Sequence, residues 1–165
     1  MNRNRKGFTL IELLIVVAII GIIVAIAIPN LLNAIQRAKQ RRTMGDMRSI
    51  ATAIESYATD YNSYPPAAAN AVTFTVGQSG TVGAKLGTYI APTYIKVLPL
   101  ADGWNSWLRY GTGNNGANYF LQSGGRDGSM ADPTSVTAGQ TTDFNNDIIF
   151  TDGQFTAYPE GAQKN

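Results

Sequence analysis

The amino-acid sequence predicts an α+β fold in which one long N-terminal helix packs on a small antiparallel sheet. Three observations lead to this prediction. An apolar stretch of membrane length opens the chain, apolar residues at three- and four-residue spacing follow it, and three short strand-like segments come later. The predicted parts are a basic leader at 1–7, an apolar helix at 8–36, an amphipathic helix half at 37–64 and a globular head at 65–165.

The apolar segment has no charged side chain from Leu13 to Gln36, a run of roughly 24 residues that can cross a bilayer core as a helix. A cleaved secretory signal peptide would have a shorter apolar region ending in a small-residue cleavage site. Arg3, Arg5 and Lys6 precede the run and are expected to hold that end in the cytoplasm. The rest of the chain is then expected in the periplasm.

Glu12 is the only acid in this apolar stretch. One explanation is an acid near the membrane interface, tolerated because it lies five residues past Gly7. The other is a functional charge that awaits a partner, because a charged side chain at the bilayer centre costs roughly 2.5–3.5 kcal/mol. Position alone leaves both explanations open.

The pattern becomes amphipathic after Pro29, which removes one backbone hydrogen bond and either kinks the helix or weakens it. A helix from Phe8 to about Tyr61 would be near 80 Å long at about 1.5 Å per residue. The apolar positions of its second half are Met47, Ile50, Ile54, Tyr57 and Tyr61.

A basic run follows the apolar segment, formed by Arg37, Lys39, Arg41 and Arg42. One interpretation is a solvated face that contacts lipid headgroups. The alternative is pairing with acids of neighbouring copies, because residues 102–160 contain seven acids and only two bases. Salt screening would weaken such exposed pairs.

The head begins where Tyr64 precedes Pro65, since a residue before proline leaves helical space. Residues 66–91 are predicted to form a loop with a possible short strand at 72–76. The three further predicted strands are 106–110, 117–122 and 147–151.

Composition excludes several functions. The chain has no cysteine and no histidine, so a disulfide, a thiolate nucleophile and a serine–histidine triad are all excluded. Without the three leader bases the formal net charge of +2 becomes −1, and no nucleic-acid partner is expected. The glycine pattern at 111–116 precedes a strand-like segment rather than a helix, so a hairpin explains it better than a nucleotide site. We expect no enzyme activity.

The stretch TDFNNDIIF at 142–150 is rich in oxygen ligands. Asp143, Asn145 and Asp147 resemble the opening of an EF-hand loop, but Ile148 replaces its glycine and Gln154 its closing glutamate, so an EF-hand is rejected. A solvated acidic loop and a calcium site of another kind both remain open.

The string KGFTLIELLIVVAIIGIIVAIAIPN closely resembles the class III signal of type IV pilins and type II secretion pseudopilins. The resemblance implies that a prepilin peptidase cuts after Gly7 and that the new N-terminus, Phe8, is N-methylated. It also implies that Glu12 pairs with the Phe8 amine of a neighbouring subunit. In such families the helix near Pro29 can melt during assembly.

Four further segments resemble landmarks of the major pseudopilin of type II secretion, namely YPP, PTYIKVLPLADGW, YFLQSGGRDG and NDIIF. The resemblance implies a pilin-like fold and a calcium site formed by Asp127 and Asp147, with Asn146 adjacent and the carbonyls of Gly124 and Ser129 as helpers. The chain departs from that pattern in a longer stretch between the two aspartates, in the segment after Pro65, and in having only Phe150 as the aromatic residue expected near the end.

The resemblance implies a single-pass inner-membrane protein with a periplasmic head that polymerises into a pseudopilus and drives protein export across the outer membrane. Its partners would be further copies, minor pseudopilins, the assembly platform and the prepilin peptidase. One alternative is a type IV pilin of a surface pilus for adhesion, motility or DNA uptake. A second alternative is a membrane-tethered binding module that never polymerises.

Overall fold

The chain divides into two compact units, residues 1–37 and residues 38–165. The computed structural model describes residues 7–66, 74–76, 83–113, 116–133 and 135–160. In chain order the elements are α1 (Leu10–Tyr61), β1 (Phe74–Val76), α2 (Gly83–Ile90), β2 (Leu108–Gly113), β3 (Asn118–Ser123), a 3₁₀ turn (Gly125–Asp127), β4 (Gly139–Thr141), β5 (Ile148–Thr151) and β6 (Gln154–Pro159).

Helix α1 begins at Leu10 and ends at Tyr61, close to the predicted bounds. In the first unit its large apolar side chains are exposed on every side of the helix between Phe8 and Ile35. Among the described residues, α1 is the one helix whose length and composition would allow it to cross a membrane. The helix runs through Pro29 without interruption.

In the second unit, one stripe of α1 forms the centre of the core. Met47, Ile50 and Ile54 are fully buried there, at the three- and four-residue spacing that the sequence pattern predicted. They belong to one apolar cluster with α2 and the sheet, which contribute Leu86, Ile90, Leu108, Tyr110, Tyr119, Leu121, Ile148, Phe150 and Phe155.

Within the described residues the sheet has six strands in the order β1-β2-β3-β5-β6-β4. Four of its five pairings are antiparallel, and Tyr110, Leu121 and Phe150 lie opposite one another across β2, β3 and β5. The edge strand β4 pairs with β6 in parallel, so the sheet is mixed rather than purely antiparallel as predicted. The α+β fold class is confirmed, and β2, β3 and β5 match the three predicted strands within a few residues.

The structure corrects the prediction that residues 66–91 form a loop. Helix α2 lies inside this range. The sequence did not predict it because its glycines and alanine contribute little to a periodic apolar pattern. Burial of Leu86 and Ile90, four residues apart, holds it against the core. Of the possible strand at 72–76, only 74–76 is described, and it is β1; residues 72 and 73 lie outside the described residues.

A tight turn at residues 101–107 docks on α1. The backbone amide of Gly103 donates a 2.8 Å hydrogen bond to Oγ1 of Thr43. A Cβ atom added to Gly103 would lie 2.4 Å from the carbonyl oxygen of Lys39, so only glycine fits against this turn of the helix. The turn therefore packs backbone against backbone.

Gly103→Ala is expected to destabilise the fold by about 1–3 kcal/mol, because the rigid backbone of α1 must move to admit the methyl group. Unfolding of the full chain in detergent, followed by the fluorescence of Trp104 and Trp107, measures the loss.

Gly87→Ala is the matched control. Among the described residues, its added Cβ would meet only Leu98 Cδ2, at 3.8 Å. Because glycine costs about 0.5–1 kcal/mol within a helix, this variant should be as stable as the wild type or more so. Equal stability of the two variants would contradict the close packing of the turn at 101–107 on α1.

Candidate functional site

The N-terminal end of α1 places Glu12 in a capping box. The backbone amide and Oγ1 of Thr9 both donate hydrogen bonds to Glu12 Oε2, at 2.8 and 2.7 Å. The Glu12 amide donates in return to Thr9 Oγ1 at 3.3 Å. Thr9-x-x-Glu12 is a standard sequence signature of a helix start, and the sequence analysis overlooked it. A single copy of the chain thus satisfies one oxygen of Glu12 locally.

Gly7 and Phe8 precede this helix start and are both exposed. No atom of the described residues lies within 4 Å of a Cβ built on Gly7, and the Phe8 side chain is 78% exposed. Both positions are therefore sterically open.

Pro29 lies within α1 and cannot donate to the carbonyl of Ala25, four residues earlier. The following carbonyl, that of Ile26, accepts a 3.2 Å hydrogen bond from Nδ2 of Asn30. A side chain thus adds a bond to the turn that the proline weakens.

A second region of interest is a cavity of about 540 Å³ beside β4 and the loops before and after it. Asp127, Ser129, Asn146 and Asp147 all line it, so the structure brings together four of the five residues expected at a metal site. Gly124 is not among the lining residues and packs instead against the Ser129 carbonyl, which would lie 2.8 Å from an added Cβ.

The two loops that carry the aspartates are locked together. The Arg126 amide donates to the carbonyl of Phe144 at 2.8 Å, and Arg126 Nε donates to Oδ1 of Asn145 at 2.9 Å. Gly125 has a positive φ of 63°, and its added Cβ would meet three backbone carbonyls of residues 144–146 at 2.7–2.9 Å. Only glycine allows this close approach.

Asp147 is the buried carboxylate of the cavity, 7% exposed. Its Oδ2 accepts hydrogen bonds from Gln122 Nε2 at 2.7 Å and from the Ala131 amide at 3.0 Å. Burial raises the pKa of this carboxyl above its usual range, and the nearby charge of Asp127 raises it further, although the two hydrogen bonds act in the opposite direction. A cation would relieve this cost.

The donor chemistry of the cavity fits a hard cation. Carboxylate, amide, hydroxyl and carbonyl oxygens line it, and calcium takes six to eight such oxygens. No group of three or more acidic, histidine or cysteine side chains with metal-binding geometry occurs among the described residues. Two carboxylates, Asp127 and Asp147, therefore have to be supplemented by neutral oxygens.

Asp102 is an important residue that the sequence analysis did not single out. It is 2% exposed, and its Oδ1 accepts hydrogen bonds from the amides of Trp104 and Ser106, both at 2.9 Å. Its Oδ2 accepts a 2.6 Å bond from Ser123 Oγ, which in turn accepts from the Gly125 amide at 3.3 Å. Asp102 thus joins the turn that docks on α1 to the loop that carries Asp127. The Asp-Gly pair at 102–103 could have indicated this turn, because an aspartate side chain stabilises a turn by accepting hydrogen bonds from nearby backbone amides.

Comparison with known proteins identifies the family. The prokaryotic N-terminal methylation motif matches residues 2–28, and the model of type II secretion system protein G matches residues 30–142. The chain belongs to the type II secretion system protein G family. This family is that of the major pseudopilin, so the identification made from the sequence is confirmed.

Similarity to individual proteins supports the same family. Core protein G of the type II secretion system of Escherichia coli K12 is 31% identical over 135 residues, covering 81% of this chain and 90% of the relative. The core protein G of Pseudomonas aeruginosa is 31% identical over 127 residues, covering 77% and 87%. The type IV major fimbrial protein FimA of Dichelobacter nodosus is 53% identical, but over only 60 residues, or 36% of this pseudopilin chain.

Asp147→Asn is expected to change how stability depends on pH in a calcium-free buffer. A raised pKa means that the folded pseudopilin holds this proton at a pH where the unfolded chain has lost it. The free energy of unfolding of the wild type should therefore fall, relative to the variant, as the pH rises above the ordinary carboxyl pKa of 3.8. Urea titrations of both proteins between about pH 3.5 and 7 test this, and parallel curves would contradict it.

Proposed function

We propose that the chain is a structural subunit of a type II secretion pseudopilus, which polymerises by packing of its N-terminal helices and drives protein export across the outer membrane. The observation that carries the proposal is the protein G family match over 30–142, next to a helix whose apolar side chains are exposed all round. Such a surface needs either lipid or other helices around it. The family's role is structural, and no catalytic step is proposed.

In this proposal the chain matures at its N-terminus. A prepilin peptidase cuts after Gly7 and Phe8 becomes the methylated N-terminus, in line with the methylation motif matched at 2–28. The open surroundings of both residues support access by an enzyme. Before assembly the subunit is a single-pass protein of the inner membrane, and residues 65–165 form its periplasmic head. Minor pseudopilins and an assembly platform are its further partners.

Glu12 has a specific part in this assembly. Its Oε2 is bonded within the chain by Thr9, while cleavage would create a positive amine at Phe8. A carboxylate and an amine attract each other strongly in a low-dielectric environment, and each is costly there without the other. We therefore propose that Glu12 pairs with the Phe8 amine of a neighbouring subunit and that this pair favours the filament over the isolated subunit.

Glu12→Ala should abolish or severely reduce pseudopilus assembly, scored by electron microscopy of cells that overproduce the protein and the secretion machinery. Thr9→Ala is the matched control, since it removes the cap, worth about 1 kcal/mol, and keeps the charge. Filaments should persist in the control. Normal filaments in Glu12→Ala would reject the pairing, whereas a wild type that forms no filaments either would favour a membrane-tethered module that does not polymerise.

We also propose that Asp127 and Asp147 hold calcium, with Asn146 and Ser129 as supplementary oxygen ligands. The support is their common cavity and the raised pKa of Asp147. When bound, the ion would supply positive charge that neutralises two carboxylates and joins their loops. In a chain without cysteine, such an ion would do the work that a disulfide does in other exported domains.

Calcium should raise the melting temperature of the full chain in detergent, and a chelator should reverse the shift. A ligand that binds only the folded state stabilises it by about 2.7 kcal/mol at a hundred times its dissociation constant. Asp127→Asn and Asp147→Asn should lose the response, while Asp143→Asn, which does not line the cavity, should keep it. An unchanged melting temperature in the wild type would reject the calcium site.

A surface type IV pilus is the second candidate, favoured by the 53% identity with the fimbrial protein of Dichelobacter nodosus. Its shorter coverage makes it the weaker of the two. Deletion of the gene separates them, because loss of secreted proteins from the medium supports the pseudopilus, whereas loss of long surface fibres with intact secretion supports the pilus.

A further inference from the structure

The basic run Arg37, Lys39, Arg41 and Arg42 is not used by the proposed filament contacts. We propose that these residues form a binding surface for the phosphates of anionic phospholipids in the outer leaflet of the inner membrane. The proposal rests on the membrane-resident state that the proposed function gives the unassembled subunit.

The first argument is the distribution of the charges around α1. At about 100° per residue, Arg41, Arg42 and Lys39 lie about 40°, 140° and 200° from Arg37 on the helical wheel. The face between about 240° and 340° is occupied by the core-facing side chains Gln40, Thr43, Met44 and Met47, all of them buried. Arg41 and Arg42 therefore lie on the arc that the head leaves free, and Lys39 lies at the edge of this arc, half-buried where the turn at Gly103 packs on its backbone.

This arc distinguishes lipid from a second copy of the chain. Charges spread over about 200° of a helix fit a partner that surrounds the helix better than they fit one face of a single neighbouring head. Lipid headgroups surround a membrane helix on every free side, so phosphates can reach all four bases. Three of the four are arginines, whose planar guanidinium groups bind phosphate through two hydrogen bonds.

The second argument is position along the chain. The uncharged segment from Leu13 to Gln36 is about 36 Å long as a helix, which covers a hydrocarbon core of about 30 Å with some tilt. The next six residues cover about 9 Å and correspond to the headgroup layer beyond that core. All four bases fall in this interval, and no acid occurs between Leu13 and Asp46.

The third argument is that the charges are available. Arg41 is exposed, and the side chain of Arg42 is 71% exposed. Among the described residues the only ion pair within 4.0 Å is Arg42 with Asp46, at 3.6 Å. Lys39 and Arg41 therefore remain uncompensated within the described part of the chain.

The test uses the full chain in neutral detergent, titrated with phosphatidylglycerol or phosphatidylcholine, with bound lipids counted by native mass spectrometry. The wild type should prefer phosphatidylglycerol, and added salt should weaken the preference. Lys39→Gln/Arg41→Gln should reduce the preference by about 30-fold, at roughly fivefold per lost charge.

Two control variants isolate the surface. Lys96→Gln/Lys164→Gln removes the same charge elsewhere and should leave the preference unchanged, as should the charge-conserving Lys39→Arg/Arg41→Lys. No preference in the wild type, or one that survives Lys39→Gln/Arg41→Gln, overturns the proposal. So does an intact preference combined with lost filaments in that variant, which would assign the bases to the acidic head of a second copy.

The lipid count is made on unassembled chains, so it does not depend on whether filaments form. A failure of the proposed polymerisation appears in Glu12→Ala, which retains all four bases and should bind lipid like the wild type. The two proposals can therefore fail independently.

Discussion

Burial of one stripe of α1 against the sheet is the interaction on which the second unit depends. Met47, Ile50 and Ile54 are completely removed from solvent there, each contributing roughly 1.5–3 kcal/mol of hydrophobic stabilisation. The sheet contributes Tyr110, Leu121 and Phe150, which are aligned across three neighbouring strands. Because these strands are short, they need the helix to cover their apolar face. This contact also fixes the ends of the strands, from which the loops that carry Asp127 and Asp147 extend.

The strength of each sequence signal explains which elements could be predicted. The helix spacing and the three central strands were readable because burial imposes a clear period on their residues. Strand β6 also alternates, with Phe155 and Ala157 buried between more exposed neighbours, but its terminal proline weakened the signal. Helix α2 was missed because glycine and alanine dilute its two buried anchors. The edge strand β4 has no apolar pattern, so the sequence did not predict it. Its parallel pairing with β6 depends on tertiary context that no local sequence encodes.

The candidate metal site shows a similar division. Asp127 and Asp147 were assigned from resemblance alone, and the structure places both beside one cavity. What the sequence could not predict is how this site is connected to the helix.

A chain of contacts joins the site to α1. Ser123 connects the Asp127 loop to Asp102. The turn of Asp102 and Gly103 packs on Lys39 and Thr43 of α1. These residues are up to 84 positions apart between Lys39 and Ser123, so no periodicity relates them. These contacts order a small polar loop in a chain without cysteine, because the Gly125 amide is paired with the buried Ser123 and the Ala131 amide with the buried Asp147.

In the proposed function, lipid surrounds the apolar part of α1 first and other helices surround it afterwards. An apolar surface exposed on all sides gains little by leaving lipid for neighbouring helices, because hydrocarbon tails are as apolar as leucine. Polar groups must therefore decide the balance. In the proposed assembly, Glu12 favours the filament, since its full partner exists only on another subunit. The basic run at residues 37–42 favours the membrane, since phosphates surround it only there. In the proposed assembly the two charged regions therefore have opposite effects, and the balance between them decides whether the subunit stays in the membrane or enters the filament.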